Sequence, residues 1–329
     1  MKRRALLGGL LAAPVLPAVA VPSLARAQPA AWPSQTVRVV VAYVPGGTTD
    51  IVGRMLAEAL GERLPGASVV VENRAGGGGV VGTESVMRAA PDGHSLLLSA
   101  SAHAVLPALN PSLGWDPVKD FTPIAAVAAT PYMVIAHPAL PARTLGELIA
   151  YARANPGRLN YASTGIGTAQ HLSGELLKRR AGIDIVHVPY RGSGAVRADL
   201  LAGRVNFMFE NLALTLGMTR AGDVRGLAVT SAARSPLAPD LPTMEEAGVP
   251  DMVVEGWFGL FGPRGVPQAV VARLNDAVAD WLRQPATLQK LSSLGARPLG
   301  GPPEALASLV QREGETWGRV IREAGIKVE

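Results

Sequence analysis

The stretch that decides the fold is VRVVVAYVPGGTTD, residues 37–50. A nearly continuous apolar run over 37–44, typical of a strand buried on both faces of a parallel sheet, leads directly into two glycines. Residues 48–50 then offer cap oxygens to a helix whose apolar residues recur at helical spacing over 51–60. The first N–H groups of a helix lack intrahelical partners and carry partial positive charge, so this loop is predicted to hold an anion.

A second stretch of the same design lies far along the chain, in NYASTGIGTA, residues 160–169. We call residues 44–50 the first glycine loop and residues 162–168 the second glycine loop. Either loop alone could simply turn a strand into a helix, as many α/β loops do. Two loops in matching positions, each with hydroxyls beside glycines, instead predict a cleft with an anion cradle on either side.

The first residues of the chain predict export. Three cationic residues at positions 2–4 precede an apolar run over 5–21, and residues 25–27 (Ala-Arg-Ala) have the small-x-small form of a cleavage site. A signal peptide over residues 1–27, cleaved after Ala27, is therefore expected. An uncleaved membrane anchor fits less well because two prolines interrupt the run. The general and the twin-arginine export routes both stay open.

The composition of the chain excludes nucleic-acid binding and all chemistry that depends on cysteine. Removal of the expected signal peptide takes away four cationic residues and lowers the formal net charge from +5 to +1. With only five residues each of Phe, Tyr and Trp, the mature chain has neither the basic surface nor the aromatic platforms of a nucleic-acid-binding protein. The absence of cysteine excludes disulfides, thiolate metal sites and a cysteine nucleophile.

Strands and helices alternate in two successive sets, which predicts an α/β protein with two units in series. The expected strands cover residues 37–44, 68–72 and 95–99 in the first set, and residues 132–136, 159–162, 185–188 and 205–210 in the second. A tail of two helices, over 267–283 and 303–323, is too small for a third domain and is expected to pack on the first unit. The chain would then cross between the units near 130–135 and near 255–260, and two crossing strands form a hinge.

Six motifs occur in order along the chain and together resemble one family: Pro45-Gly46-Gly47-x-x-Asp50, Asn73-Arg74-x-Gly76-Gly77, Pro91-Asp92-Gly93, Ser163-Thr164-Gly165-x-Gly167-Thr168-x-x-His171, His187-Val188-Pro189-Tyr190-Arg191-Gly192 and Trp257-Phe258-Gly259-Leu260. The set resembles the Bug-type solute-binding receptors, the extracytoplasmic substrate-binding components associated with tripartite tricarboxylate transporters. The resemblance covers essentially all of the expected mature chain.

The resemblance implies a bilobed periplasmic-binding-protein fold of type II-like topology, in which two α/β domains are joined by two crossing strands. The expected domains are residues 28–131 with 256–329, and residues 132–255. It further implies that the lobes close on a small carboxylated molecule and present it to the membrane permease subunits of a tripartite transporter. The implied receptor is a periplasmic monomer that is not an enzyme and needs no cofactor or metal.

Site residues carried over from the family lie in the two loops: Gly46, Gly47 and Thr48 in the first, and Thr164, Gly165, Gly167 and Thr168 in the second. The first loop is implied to reach the carboxylate through water. Asp50 fits that role because a fixed carboxylate disfavours direct contact with another.

Five further residues are candidates for the cleft. Tyr43 could wall the cleft or pack in the sheet, and Ser99 ends a predicted strand, where ligands collect in open α/β sheets. His171 stands one turn into its helix, where a structural hydrogen bond to the loop is the competing interpretation. Many relatives carry Phe-Asp where this chain has Phe-Glu210-Asn211. If Glu210 faces the cleft, it would favour an ammonium or hydroxyl donor and disfavour a second carboxylate unless Asn211 or water intervenes.

Two alternative functions use the same residues. The first is an exported α/β enzyme acting on a carboxylated substrate, with Asp50, His171 and Glu210 as acid or base. The second is an orphan receptor that feeds a sensor in place of a permease. A dinucleotide-binding fingerprint over 77–82 is discounted, because no acidic residue follows at the required distance and a flexible loop explains the glycines.

Overall fold

The computed structural model describes residues 32–190 and 193–326. The expected signal peptide over 1–27 lies outside these described residues. No helix among them combines the length and the apolar character that crossing a membrane requires.

The described residues form an α/β structure with ten strands and ten α-helices. The strands are β1 (Val37–Val41), β2 (Val69–Asn73), β3 (Ser95–Ala100), β4 (Phe121–Ala136), β5 (Asn160–Ser163), β6 (Val186–Pro189), β7 (Phe207–Asn211), β8 (Arg225–Val229), β9 (Glu255–Pro263) and β10 (Arg297–Pro298). The helices are α1 (Thr48–Arg63), α2 (Val80–Met87), α3 (Ala102–Leu109), α4 (Leu145–Ala154), α5 (Ala169–Ala181), α6 (Ser193–Leu201), α7 (Leu212–Ala221), α8 (Gln268–Leu282), α9 (Pro285–Ser293) and α10 (Pro303–Ala324).

The strands lie in the order β2-β1-β3-β9-β4-β7-β5-β6, and both β8 and β10 also pair with β4. Strand β1 is parallel to β2 and β3, while β5 is parallel to β6 and β7. We call β1, β2, β3, β9 and β10 the first half of the sheet, and β5, β6, β7 and β8 the second half. Because parallel strands end at one edge, the loops after β1 and β3 emerge together in the first half.

Strand β4 belongs to both halves, and its partners change within it. Residues 121–131 pair with β9, ending at Pro131 opposite Glu255, while residues 132–136 pair with β7, starting at Tyr132 opposite Asn211. Thr230 lies beside this point, where its hydroxyl oxygen accepts from the Tyr132 N–H at 2.8 Å. Its hydroxyl donates to the Val254 carbonyl at 2.5 Å. The two connecting segments are thus joined where the sheet changes partners.

Local sequence explains the two helices that follow the glycine loops. In α1, Val52, Leu56 and Leu60 are fully buried against the sheet, as the apolar spacing predicts. Helix α5 begins after Thr168, whose hydroxyl oxygen accepts from the His171 N–H at 3.4 Å. It ends at Gly182, which adopts the left-handed conformation (φ 60°) after three cationic residues in the last turn.

Several parts of the fold differ from the sequence predictions, and among them helix α7 and strand β8 were not predicted. The tail has three helices where two were expected, because α9 begins with Pro285 at a position that favours a helix start. Helix α3 was not predicted. Strand β4 is much longer than the predicted 132–136, since its two internal prolines suggested an end that the pairing with β9 overrides.

Candidate functional site

A cavity of about 730 Å³ lies between the two glycine loops. Its lining from the first half of the chain includes Tyr43, Thr49, Gly77, Gly78 and helix α3, and from the second glycine loop Thr164, Ile166, Gly167 and Thr168. The cavity is also lined by Tyr132, Val254 and Glu255, near the point where the strands cross, and by Glu313 and Trp317 of α10. The first glycine loop thus contributes Thr49 to the lining, and the second contributes four residues.

In the first glycine loop, Asp50 is a structural residue. Its carboxylate is 3% exposed and accepts from the Gly46 N–H at 2.9 Å and from Nδ2 of Asn73 at 2.9 Å. Arg54 donates from Nε to the same carboxylate at 3.0 Å. Burial alone would raise the pKa of Asp50, but these three donors together lower it. The loop is thereby fixed to the end of strand β2.

In the second glycine loop, several N–H groups are used within the loop itself. The Gly165 N–H donates to the Ser163 hydroxyl oxygen at 3.2 Å, and the Thr168 N–H donates to the Gly165 carbonyl at 3.3 Å. The Gly167 N–H donates to Nδ1 of His171 at 3.0 Å. The expectation that the loop amides stay free is therefore wrong for Gly46, Gly165 and Gly167, from which side chains accept, and for Thr168, from which a carbonyl accepts.

The open N–H groups lie one step further on, at the starts of the helices. Among the described residues, nothing accepts from the N–H of Thr49 in α1, or from those of Ile166, Ala169 and Gln170 at the start of α5. All four residues line the cavity. The cavity therefore borders two helix N-termini with unpaired N–H groups, and the first turn of α1 also contains the Asp50 carboxylate.

Two stacked histidines support the second loop from behind. The rings of His171 and His187 lie 3.8 Å apart at an angle of 11°, and Nε2 of His187 is 2.7 Å from the Ser163 hydroxyl. Burial, together with His171 and Lys178, lowers the pKa of His187 to about 3, and burial also lowers the pKa of His171. Neutral rings can stack at this distance without charge repulsion, so the pair holds the loop in place.

A chain of side-chain hydrogen bonds connects Glu210 to the cavity. The Glu210 carboxylate is 7% exposed and accepts from the Asn211 N–H at 2.7 Å and from Nε2 of Gln170 at 3.4 Å. The Oε1 atom of Gln170 in turn accepts from the Thr164 hydroxyl at 2.5 Å. Burial raises the pKa of Glu210. Glu210 thus orients Gln170 and Thr164, which line the cavity, whereas its own carboxylate does not.

Tyr43 forms part of the wall, on the side of the first half. Its hydroxyl is buried and makes no hydrogen bond with any described residue, and burial raises its pKa to about 12. The ring lies against the glycines at 76–79, since a Cβ placed on Gly79 would be 3.3 Å from the Tyr43 hydroxyl. Ser99 is buried beneath this wall and is not among the lining residues.

The structure thus divides the predicted site residues into two groups. Those that line the cavity are Tyr43, Thr164, Gly167 and Thr168. Those placed around it but outside its lining are Gly46, Gly47, Thr48, Asp50, Ser99, Gly165, His171, Glu210 and Asn211. Contact between a ligand and any of them stays a prediction.

Several lining residues were missed. Gly77 and Gly78 belong to the glycine run interpreted as a flexible loop, and the structure gives both a positive φ, at 56° and 67°. Thr49 and Gln170 stand beside predicted residues and follow from the same helix-start argument. Glu313 has no signal in the sequence, because it enters the cavity from the tail. Among the described residues, no cluster of three or more His, Cys, Asp or Glu could hold a metal ion.

Comparison with known proteins decides the family. The family model described as "Tripartite tricarboxylate transporter family receptor" matches residues 52–326. The chain belongs to this family. It is 36% identical over 300 residues to the Bordetella pertussis protein BugT, covering 91% of this chain and 92% of BugT. The sequence-based assignment to the Bug-type receptors is confirmed.

Solved structures of relatives agree with the receptor fold. The structure of the R. palustris protein Rpa4515 with adipate is 37% identical in sequence and has a TM-score of 0.80. The match covers 90% of this chain and 99% of Rpa4515. MatC from Rhodopseudomonas palustris, with bound malate, is 36% identical, has a TM-score of 0.76 and covers 88% of this chain and 100% of MatC. The bilobed α/β fold of periplasmic solute-binding proteins, predicted from the motifs, is confirmed for this receptor.

Proposed function

We propose that this receptor captures a small carboxylate between its two halves by hinge closure and delivers it to the membrane permease subunits of a tripartite transporter. The observation that carries the proposal is a cavity bordered by both helix starts, where four lining residues have N–H groups without an acceptor among the described residues. Within residues 32–190 and 193–326, no Lys, Arg or His is among its lining residues. A carboxylate would therefore be met by oriented amides and hydroxyls rather than by a cationic side chain. The relatives with bound adipate and malate support this ligand class.

Closure requires two lobes, and we assign residues 28–131 with 256–329 to one and residues 132–255 to the other. The change of β4 partners between Pro131 and Tyr132 supports the first boundary, and the start of β9 at Glu255 supports the second. Both boundaries border the cavity, since Tyr132, Val254 and Glu255 line it. Small backbone rotations at these positions would open or close the space between the loops. Export through a signal peptide and a monomeric state complete the proposal.

The enzyme alternative is not supported by the position of its acids and bases. Asp50, His171 and Glu210 are all outside the cavity lining. Asp50 is held by three donors, and the Nδ1 atom of His171 accepts from the loop. A general acid or base must reach a reacting atom, and these groups already serve the structure. We therefore expect binding without turnover.

The proposal is tested by offering a panel of acids to the purified receptor. Adipate, malate, succinate and hexanoate are added separately, and the unfolding temperature is measured, because a ligand that binds only the folded state stabilises it. Each acid is then recovered after incubation and identified by mass spectrometry. A rise in unfolding temperature with the acid returned unchanged supports a receptor. Product formation would support the enzyme, and no stabilisation by any carboxylate would overturn the proposal.

One of the open amides can be removed by a single substitution at the start of α5. Ala169→Pro deletes the Ala169 N–H at the first position of α5, where proline is favoured, and the preceding Thr168 already has the extended conformation (ψ 158°) that proline requires. We expect affinity for the best acid to fall about tenfold, the loss of one charge-assisted hydrogen bond. Gln268→Pro makes the same change at the exposed first position of α8, outside the cavity, and should leave binding unchanged. Equal affinity in both variants would exclude the α5 start from the site.

A further inference from the structure

The charged residues that line the cavity within the described part of the chain carry one sign only. Its charged lining residues are Glu255 and Glu313, while the described residues that line it include no Lys, Arg or His. Glu255 is neutralised by Arg297, whose Nε donates to it at 3.1 Å. Glu313 has no comparable partner, since no Lys, Arg or His within the described residues lies within salt-bridge distance of it.

The Glu313 carboxylate is only partly satisfied. It is half-buried on α10 and accepts from the Trp317 indole N–H at 2.7 Å. The Trp257 indole N–H also favours its charged form. A carboxylate can accept about four hydrogen bonds, and a buried charge is costly unless it is paired. Burial is the main cause that raises the pKa of Glu313, while the two indole donors and Arg312 oppose it. A wall with unused acceptor capacity is complementary to a donor on the ligand.

The surroundings of Glu313 strengthen its negative potential. Burial, Glu210, Tyr43 and Glu313 all raise the pKa of Tyr132, so both carboxylates act on the tyrosine that lines the cavity at the strand crossing. The charged or titratable groups around Glu313 are Arg312 on its own helix, Glu255 on β9 and Tyr132 on β4. Glu255 raises the pKa of Glu313 further, while Arg312 opposes this.

The rest of the wall is mostly apolar. Val105, Leu106 and Leu109 of α3 line it, and Leu172 and Trp317 complete the apolar surface. The occupant that matches all three features carries a carboxylate for the helix starts, an apolar body for the wall and a hydrogen-bonding cation for Glu313.

We propose that the preferred ligand is an amino carboxylate whose ammonium group pairs with Glu313 while its carboxylate binds the open amides of α1 and α5. This inference rests on the proposed function and narrows its ligand class. A dicarboxylate would place its second charge in a cavity that already holds an unpaired carboxylate, and like charges repel strongly where water is excluded. A simple alkanoate avoids the repulsion but leaves Glu313 without a donor.

The test compares three matched series of acids with the same number of methylenes. Amino acids from glycine to 6-aminohexanoate, with one to five methylenes between ammonium and carboxylate, are titrated beside the corresponding diacids from malonate to pimelate and the unsubstituted alkanoates. Calorimetry gives each dissociation constant with the full-length mature receptor. We expect at least one amino acid to bind about tenfold more tightly than its matched diacid and alkanoate, as one charge-assisted hydrogen bond provides.

Two variants of α10 test whether Glu313 causes the preference for the amino acid. Glu313→Gln should remove the preference for the amino acid, whereas Glu315→Gln, an exposed change two residues away on α10, should keep it. If Glu313→Gln fails to fold, the wild-type receptor is titrated from pH 7 to pH 4. Dissociation constants corrected for the ionised fraction of each ligand's own carboxylate should then show a smaller preference for the amino acid over the alkanoate as Glu313 becomes protonated.

The outcomes separate this inference from the proposed function. A diacid or alkanoate that binds as tightly as every amino acid overturns the ammonium site but leaves the carboxylate receptor intact. A preference that survives Glu313→Gln, or that is unchanged at pH 4, overturns the role of Glu313. Binding of no acid in any series overturns both.

Discussion

At the scale of single residues, Asp50 shows how a carboxylate beside an anion-binding loop can serve the loop instead of the ligand. Its oxygens accept from Gly46, Arg54 and Asn73, so every strong donor nearby is directed at it. We expect Asp50→Asn to lower the free energy of unfolding by about 2 kcal/mol, because an amide brings its own donors to a position surrounded by donors. Urea unfolding measures the change.

The matched control for Asp50 is Glu58→Gln, which removes an exposed carboxylate from the same helix. This variant should unfold at the same urea concentration as the wild type. Equal stability of the two variants would show that the Asp50 network does not hold the loop.

The two histidines behind the second glycine loop give the receptor a pH-dependent stability. His187 has a pKa of about 3 in the folded state, below the usual 6.5, so the unfolded chain binds more protons between these values. Stability contributed by neutral His187 is therefore complete above pH 6.5 and declines as pH falls towards 3, by at most about 1.4 kcal/mol per pH unit. The groups facing it are Ser163, Tyr161, His171 and Lys178.

His187→Gln tests this contribution, since glutamine can still hydrogen-bond Ser163 but does not titrate. We expect its unfolding temperature to fall less steeply than that of the wild type between pH 6.5 and pH 4. Thermal melts across this range provide the comparison, and parallel slopes for the two proteins would assign the pH dependence to other groups.

At the residue level, a position beside the cavity could be predicted where it follows from chain-local geometry. Tyr43, Thr164, Gly167 and Thr168 line the cavity because they sit at strand ends or in a loop before a helix, a position that can be read from neighbouring residues. The free or engaged state of an amide could not be read in this way. The Gly167 N–H donates to the ring of His171, four residues later, and this hydrogen bond depends on the rotamer of the histidine.

At the scale of elements, the second glycine loop and α3 approach each other across the cavity. A Cβ on Gly167 would collide with the side chain of Leu109, and Gly167 has a φ of 78°. We expect Gly167→Ala to weaken binding of the best acid, because the loop must retreat from α3. Calorimetry measures the affinity, and Leu109→Ala in the same chain should restore part of it.

Gly182→Ala separates collision from backbone strain. Gly182 ends the same helix with a φ of 60°, and a Cβ there meets nothing within 4 Å. Both variants should lose about 1–2 kcal/mol of stability from the left-handed backbone, but only Gly167→Ala should lose affinity. Similar affinities in the two variants would show that contact with α3 is irrelevant to binding.

Elements with a clear periodicity were predictable, and those interrupted by proline were not. Helix α4 (Leu145–Ala154) has clear local signals, because Thr144 caps it and Asn155 ends it. Helix α3 contains Pro107, and β4 contains Pro123 and Pro131, so each looks like a break in sequence. Long-range pairing and packing outweigh the local preference in both, and no local pattern records those partners.

At the scale of the whole molecule, Thr230 joins the two segments that connect the halves. It is fully buried and bonds to both Tyr132 and Val254. Thr230→Val keeps the shape but leaves the Tyr132 N–H and the Val254 carbonyl without this partner. We expect a loss of about 1–3 kcal/mol in unfolding free energy and faster hydrogen exchange around Tyr132.

Thr230→Ser retains the hydroxyl and should stay close to the wild type in both measurements. If the valine and serine variants were equally stable, the hydroxyl would not join the crossing segments. Unchanged exchange at Tyr132 in the valine variant would lead to the same conclusion.

The open N–H groups at the starts of α1 and α5 have an evolutionary consequence. They belong to the peptide backbone, so nearly every point mutation at those positions preserves them, and proline alone deletes one. Homologues that bind a carboxylate in the proposed way can therefore differ in the side chains of α3 and α10 and still retain these N–H groups. Ligand specificity would then evolve through substitutions of the side chains that line the rest of the cavity, while the backbone N–H groups stay the same.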